Sequence, residues 1–483
     1  MSAVQPSAFH EVTKTLTVQA MSLRPAVATV LAIAVGVVLW QARGSLSAEA
    51  ALSLWVFALA IIAWVVLKFD ETAVAVGTAL LLVGLKITEA KDLYEALGSD
   101  LIWLMLGGFV LAATLQHSGL AERWTSKAVS HARSVNGLLY GLTGVIFATA
   151  FVIPSTSGRA ALLLPIFLVL AKTLNDERLT RALALLFPTA ILLSAGASLL
   201  GAGAHLVAVD FMRNMGIDAP GFMSWIALAA PFCLLTSFAA TALIAHLFLT
   251  PEERQRAIAL PQTQQRPLTQ EQKVVAFIVA LTTLGWCTTS IHGLDAAVVA
   301  MIGAMCVTIE KLTGISLKKA LKQVEWGLLL FLAATLVLVD ALMMSGAAKA
   351  LATQVIDLMP AAAARMPVIA LIAAVLVALV SHIVITSRTG RAIVLIPTVA
   401  LPLAAYDINP AMLILAVTLA SGFCQTLMVS AKPVAVFART DVPTFSDGDL
   451  LKLSLALMPL MAVLLMLFAW FIWPLQGIAR VAG

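Results

Sequence analysis

Charge is what this sequence has least of. Of its 483 residues 11% are Asp, Glu, Lys or Arg and 61% are apolar, where a soluble domain carries about 25% charged residues. Its apolar runs supply roughly eleven stretches of the ~20 residues a membrane helix needs, and leave no room for a soluble domain. Cysteine is as scarce: Cys233, Cys287, Cys306 and Cys424 show no CxxC spacing, which argues against a disulfide framework or thiolate metal site and reads them as small packing residues. The sequence also lacks GxxxxGK[ST], HExxH, GxSxG and any carboxylate-rich cluster, so ATP-driven transport and intramembrane proteolysis have no chemistry to stand on. The expectation is a protein that is no enzyme, holds no metal and binds no nucleic acid, with Na+ or H+ as coupling ion at most.

What is present is a duplicated polar motif inside apolar sequence. Ile153–Pro165 reads IPSTSGRAALLLP and Ile385–Pro397 reads ITSRTGRAIVLIP. A charged residue at the centre of a membrane helix costs roughly 2.5–3.5 kcal/mol on insertion scales, so arginines in equivalent places need a partner or a function. Hydroxyls and free N–H groups where a tip opens a helix form an anion site, and arginine adds a fork for a carboxylate or sulfate. A structural alternative gives Arg159 or Arg391 a buried carboxylate, Asp340 or Asp210. His205, His382 and Lys432 read as packing or helix-end residues rather than proton carriers.

In chain order, residues 1–24 form a polar N-terminal segment and Pro25–Trp40 the first helix, followed by Ala51–Leu67, Thr72–Leu85 and Leu101–Leu115. Ser118–Val135 suits a helix along the interface. Residues 137–174 are interrupted at Pro154–Gly158, with arms too short to cross singly, which fits a re-entrant hairpin. Residues 182–215 read as a broken helix, unwound near Gly196–His205 by Gly196, Ser198, Gly201 and Gly203. Phe222–Leu249 closes a first repeat, 25–249, and the proline- and glutamine-bearing segment 250–273 links it to a second, 274–483. There the pattern returns: an interfacial Ser345–Leu358, a hairpin at 366–405, and a broken helix at 412–437 around Ser421, Gly422 and Thr426.

Orientation follows from the basic residues. With the N-terminus inside, cytoplasmic segments carry nineteen Lys and Arg and the opposite side seven, the asymmetry of a cytoplasmic N-terminus. The repeats then run in opposite directions. The fold expected is therefore an all-α integral membrane protein of about 11 transmembrane helices, with two re-entrant hairpins and two broken helices in an inverted repeat. In such transporters the substrate site lies at the midplane between repeats.

The layout resembles the divalent anion/sodium symporter (DASS) family over almost the whole chain. In that family both tips carry Ser-Asn-Thr, small residues, an apolar run and a proline. Here the tips read Ser155-Thr156-Ser157-Gly158-Arg159 and Ser387-Arg388-Thr389-Gly390-Arg391, so Thr156 and Arg388 replace the asparagine, and the broken helices lack the family's Thr-Pro-Pro-Asn run. The resemblance implies that both tips bind substrate, that the two broken-helix loops complete the ion and substrate sites, and that the protein is a homodimer. The reading is an inner-membrane secondary transporter of small dianions (di- or tricarboxylate, or sulfate-like), working by elevator-type alternating access and sodium-independent exchange. The alternatives are a sodium-coupled dicarboxylate or sulfate symporter, a cation/proton antiporter and an anion channel.

Overall fold

Several apolar runs become helices where a short polar side chain takes up the free N–H groups of the first turn. Ser47 Oγ accepts from Ala50 N and opens Ala48–Val65, Asp70 opens Glu71–Gly84, and Asp176 opens Glu177–Ser194. The structure, a computed structural model, describes residues 6–480 apart from Ser45, Glu122, 125–131, 259–266 and 359–366. Much of the expected interfacial segment Ser118–Val135 and the middle of the 250–273 linker lie outside the described residues.

Among those residues eight helices are long and apolar enough to cross a membrane, and five apolar helices of 10–17 residues accompany them. The first helix runs Pro6–Gln41, with Pro25 inside it rather than at its start. Pro25 costs a ladder hydrogen bond, yet its carbonyl still accepts from Thr29 Oγ1 at 2.9 Å and the helix continues. The 137–174 segment is two helices, Val135–Thr149 and Thr156–Leu174. The second, at 19 residues, is itself long enough to span, so the expectation that both arms are too short fails for that arm. The first broken helix is Glu177–Ser194, two 3-10 turns over 195–201, and Gly203–Asn214. Its counterpart is Pro410–Ala420, an irregular stretch, and Lys432–Ala438. Cys287 is half-buried and Cys306 exposed, so only Cys233 and Cys424 are core residues.

Two groups of helices form. In one, Asp100–His117 crosses Ala296–Val307, and Glu71–Gly84 packs on Trp326–Met344. The first crossing is so close that a Cβ on Gly107 would stand 2.7 Å from Ala300 Cβ. In the other, Glu177–Ser194 packs on Phe222–Phe248 and on both helices of the first hairpin, and Pro367–Val380 packs on Pro410–Ala420. The repeats interlock. Arg388–Leu395, the start of the second tip helix, packs on Gly203–Asn214 of the first repeat, and Thr156–Leu174 packs on Lys432–Ala438 of the second. Phe167, Phe187 and Phe437 close that second contact, with ring centroids 5.4–5.8 Å apart. The interlocking brings both tips into one region.

Candidate functional site

Each tip serine is the N-cap of the helix that follows it. Ser155 Oγ accepts from Gly158 N at 3.3 Å and Ser387 Oγ from Gly390 N at 3.1 Å. The equivalence ends at the backbone: Ser387 is extended at φ −73°, whereas Ser155 has φ +82°, a conformation costly for a residue with a Cβ.

Both motif arginines are fully buried and both tie a tip to the broken helix of its own repeat. Arg159 donates from Nε to Thr149 Oγ1 (2.9 Å), from Nη1 to the Ile191 carbonyl (2.9 Å), and from Nη2 to the Ile146 carbonyl (2.5 Å) and Ser194 Oγ (2.6 Å). Arg391 donates to the carbonyls of Ile385 (2.7 Å) and Ser421 (2.7 and 3.1 Å), and to Cys424 Sγ. Neither has Asp210 or Asp340 as partner. Those carboxylates share Asn214 Nδ2, at 3.3 and 2.7 Å. The carboxylate alternative is thus replaced by carbonyls at the helix breaks, which are short of donors because the ladder is interrupted there.

Arg388 is different. Among the described residues its Nη1 reaches only the Leu192 carbonyl, at 3.4 Å, and its buried Nε has no hydrogen-bond partner. The guanidinium crosses between the two broken helices: a Cβ on Gly422 would stand 2.7 Å from Nη2, and one on Gly196 3.6 Å from it. These glycines make the space that the cation fills.

A cavity of about 620 Å³ opens onto this place. From the first tip it is lined by Ser155, Thr156 and Ser157, from the second by Ser387, Arg388, Thr389, Gly390 and Arg391, and from the broken helices by Gly203, Cys424 and Lys432. Gly158, Arg159, Gly196, Ser198, Gly201, Ser421, Gly422 and Thr426 are not on its wall. Ser198 Oγ caps Leu200 N, Ser421 Oγ donates to the Thr418 carbonyl, and Thr426 Oγ1 bonds His382 Nε2 (2.7 Å) and Ser454 Oγ (2.6 Å). His205 is buried, with Nδ1 2.9 Å from the Ser198 carbonyl and its ring against Trp225. Gly203 touches both the second tip and the neighbouring helix group, since a Cβ there would stand 3.1 Å from Thr389 Oγ1 and 3.0 Å from Leu332 Cδ2.

The sequence reading missed Lys68 and Glu325, which line the same cavity. Lys68 Nζ donates to the Val384 carbonyl at 3.2 Å, and Ser155 Oγ donates to Glu325 Oε1 at 2.5 Å. Glu325 directly precedes Trp326–Met344, where a carboxylate passes for an ordinary start-of-helix residue.

A model of the CitMHS family, described as citrate transporter, matches residues 57–420. The chain belongs to the citrate transporter family. It is thereby a membrane transporter of the citrate/dicarboxylate family within the ion transporter superfamily, to which the DASS resemblance also led. Among curated relatives, the sodium-dependent dicarboxylate transporter SdcS of Staphylococcus saprophyticus is 22% identical over 423 residues, covering 80% of each chain. A membrane protein of Cupriavidus necator is 23% identical over 454 residues, covering 87% of each. Among solved structures, the YdaH transporter of Alcanivorax borkumensis superposes with a TM-score of 0.62 at 17% identity, over 89% of this chain and all of that one, which supports the fold. The family and these named relatives are transporters rather than enzymes.

Proposed function

We propose that this citrate-family transporter is a secondary active carrier of small dianions, di- or tricarboxylate or sulfate-like, across the inner membrane by sodium-independent exchange. The observation that carries the reading is Arg388: a guanidinium with an unpaired buried Nε, beside a cavity whose walls bring the hydroxyls of both tips. A buried donor left unsatisfied on a half-buried cation is costly, and an anion that accepts from it recovers that cost. One carboxylate of the substrate lies on Arg388, Ser387 and Thr389. The other faces Thr156, Ser157 and the first tip helix. The hairpins re-enter the membrane, and the group carrying both tips slides against the group holding Trp326–Met344, as an elevator within a homodimer. With the N-terminus cytoplasmic, the side of the cavity lined by Lys68 and Glu325 lies toward the cytoplasm.

A second reading, sodium-coupled symport, is favoured by SdcS, whose name states sodium dependence. Against it, a second positive charge within about 5 Å of Arg388 is repelled by about 3 kcal/mol at an effective dielectric of 20. The test is a thermal-shift screen of the purified protein against succinate, malate, citrate, tartrate and sulfate. At least one anion is expected to stabilise the wild type and to leave Arg388→Gln unshifted. Equal stabilisation of both proteins would remove Arg388 from the site.

A further inference from the structure

Glu325 brings a carboxylate to the first tip from outside both hairpins. It opens Trp326–Met344, in the helix group opposite the tips, and its Oε1 accepts the Ser155 hydroxyl at 2.5 Å across 170 residues of sequence. The side chain also comes close to the start of the tip helix, with Oε1 3.9 Å from where a Cβ on Gly158 would be. It is half-buried and forms no ion pair among the described residues. Ser155 meanwhile has φ +82° and uses its one hydroxyl proton on Glu325. Within that opposite group, Thr72 Oγ1 donates to the Gly327 carbonyl at 3.0 Å and holds the start of the Glu325-bearing helix against Glu71–Gly84.

A carboxylate on a tip hydroxyl, beside the N-terminus of a tip helix, is the ligand that the proposed substrate presents. We infer that Glu325 is a tethered competitor for the first tip: it holds Ser155 while the carrier is empty and is displaced when a dianion binds. This rests on the dianion-carrier reading. Two consequences follow from the chemistry. The substrate's second carboxylate and Glu325 cannot share the Ser155 proton, and they repel each other at short range, so Glu325 weakens apparent affinity. Because Glu325 belongs to the opposite helix group, its bond to Ser155 also pins the tip to that group, and the empty tips cannot slide. Only the loaded carrier is released, so transport is exchange.

The experiment uses the full-length protein in proteoliposomes with labelled succinate and citrate, comparing counterflow against internal dianion with uptake into dianion-free vesicles. For the wild type, uptake into dianion-free vesicles is expected to be a small fraction of counterflow. In Glu325→Ala the two rates should approach one another, and the half-saturation concentration should fall by about tenfold, the scale of a removed like charge. Ser155→Ala breaks the same pin but removes a substrate donor, so its rates should also converge while its half-saturation concentration rises. That opposite movement separates a competitor from a merely structural contact. Glu325→Gln, which keeps shape and loses charge, serves if the alanine variant folds poorly, and should shift both readouts in the same direction as alanine.

Counterflow with an unchanged rate ratio in Glu325→Ala and Glu325→Gln would overturn the inference and leave the carrier reading standing. A raised half-saturation concentration in Glu325→Ala would overturn it too, by making Glu325 a substrate partner. Wild-type protein that moves none of succinate, malate, citrate, tartrate and sulfate in counterflow would instead overturn the carrier reading itself.

Discussion

Arg388 and Arg391 sit three positions apart in one tip, and what each donates to separates their roles. Every donor nitrogen of Arg391 is bonded to protein, chiefly to the carbonyls left free where the chain stops being helical. Removing it leaves buried acceptors unsatisfied at about 1–3 kcal/mol each. Arg391→Ala is therefore expected to lower the unfolding temperature by several degrees in detergent, read by intrinsic fluorescence, and to reduce the yield of monodisperse protein. An unchanged unfolding temperature with a raised half-saturation concentration would mean that Arg391 holds substrate instead. Sequence could not rank these arginines. The duplication drew attention to Arg159 and Arg391 because they align, whereas the guanidinium with an unsatisfied buried nitrogen belongs to Arg388, which has threonine at the matching position of the first tip.

At the scale of elements, the broken helices combine two kinds of glycine. At Gly201 a Cβ would stand 2.0 Å from the Ala195 carbonyl oxygen, a backbone atom that cannot give way, so Gly201→Ala is expected to fail in folding. At Gly203 the obstacles are the Thr389 and Leu332 side chains. Gly203→Leu should fold and insert, as size-exclusion chromatography would show, yet lose transport, because the larger side chain occupies the cavity wall between tip and neighbouring helix. A fully active Gly203→Leu protein would argue that this wall is not used. The breaks themselves were legible, since glycines and serines clustered inside apolar runs weaken a helix wherever they occur. The Gly196–His205 expectation falls close to the observed 195–202 interval. What sequence could not give is which glycine faces a side chain and which faces backbone, because the Thr389 and Leu332 neighbours of Gly203 come from the other repeat and the Ala195 carbonyl meets Gly201 only through the two 3-10 turns. The first hairpin's second arm was misjudged for a simpler reason. The break at Pro154–Gly158 made it look short, but the helix begins inside that break, at Thr156, and runs to Leu174.

For the whole molecule, the interlocked repeats set one fixed positive charge between two broken helices and place hydroxyl-bearing tips around it. The paired tips and the membrane character were readable because each leaves a local pattern. The contact between Ser155 and Glu325 was not, because it joins elements from different repeats and different helix groups. The central claim is that Arg388 supplies permanently the charge that a coupling cation brings elsewhere. The direct measurement is uptake of labelled succinate and citrate into proteoliposomes with choline replacing sodium on both sides, with and without internal dianion. The account predicts saturable uptake that is undiminished by choline and dependent on internal dianion. A strict, saturable sodium requirement in the wild type would contradict it and make the protein a symporter.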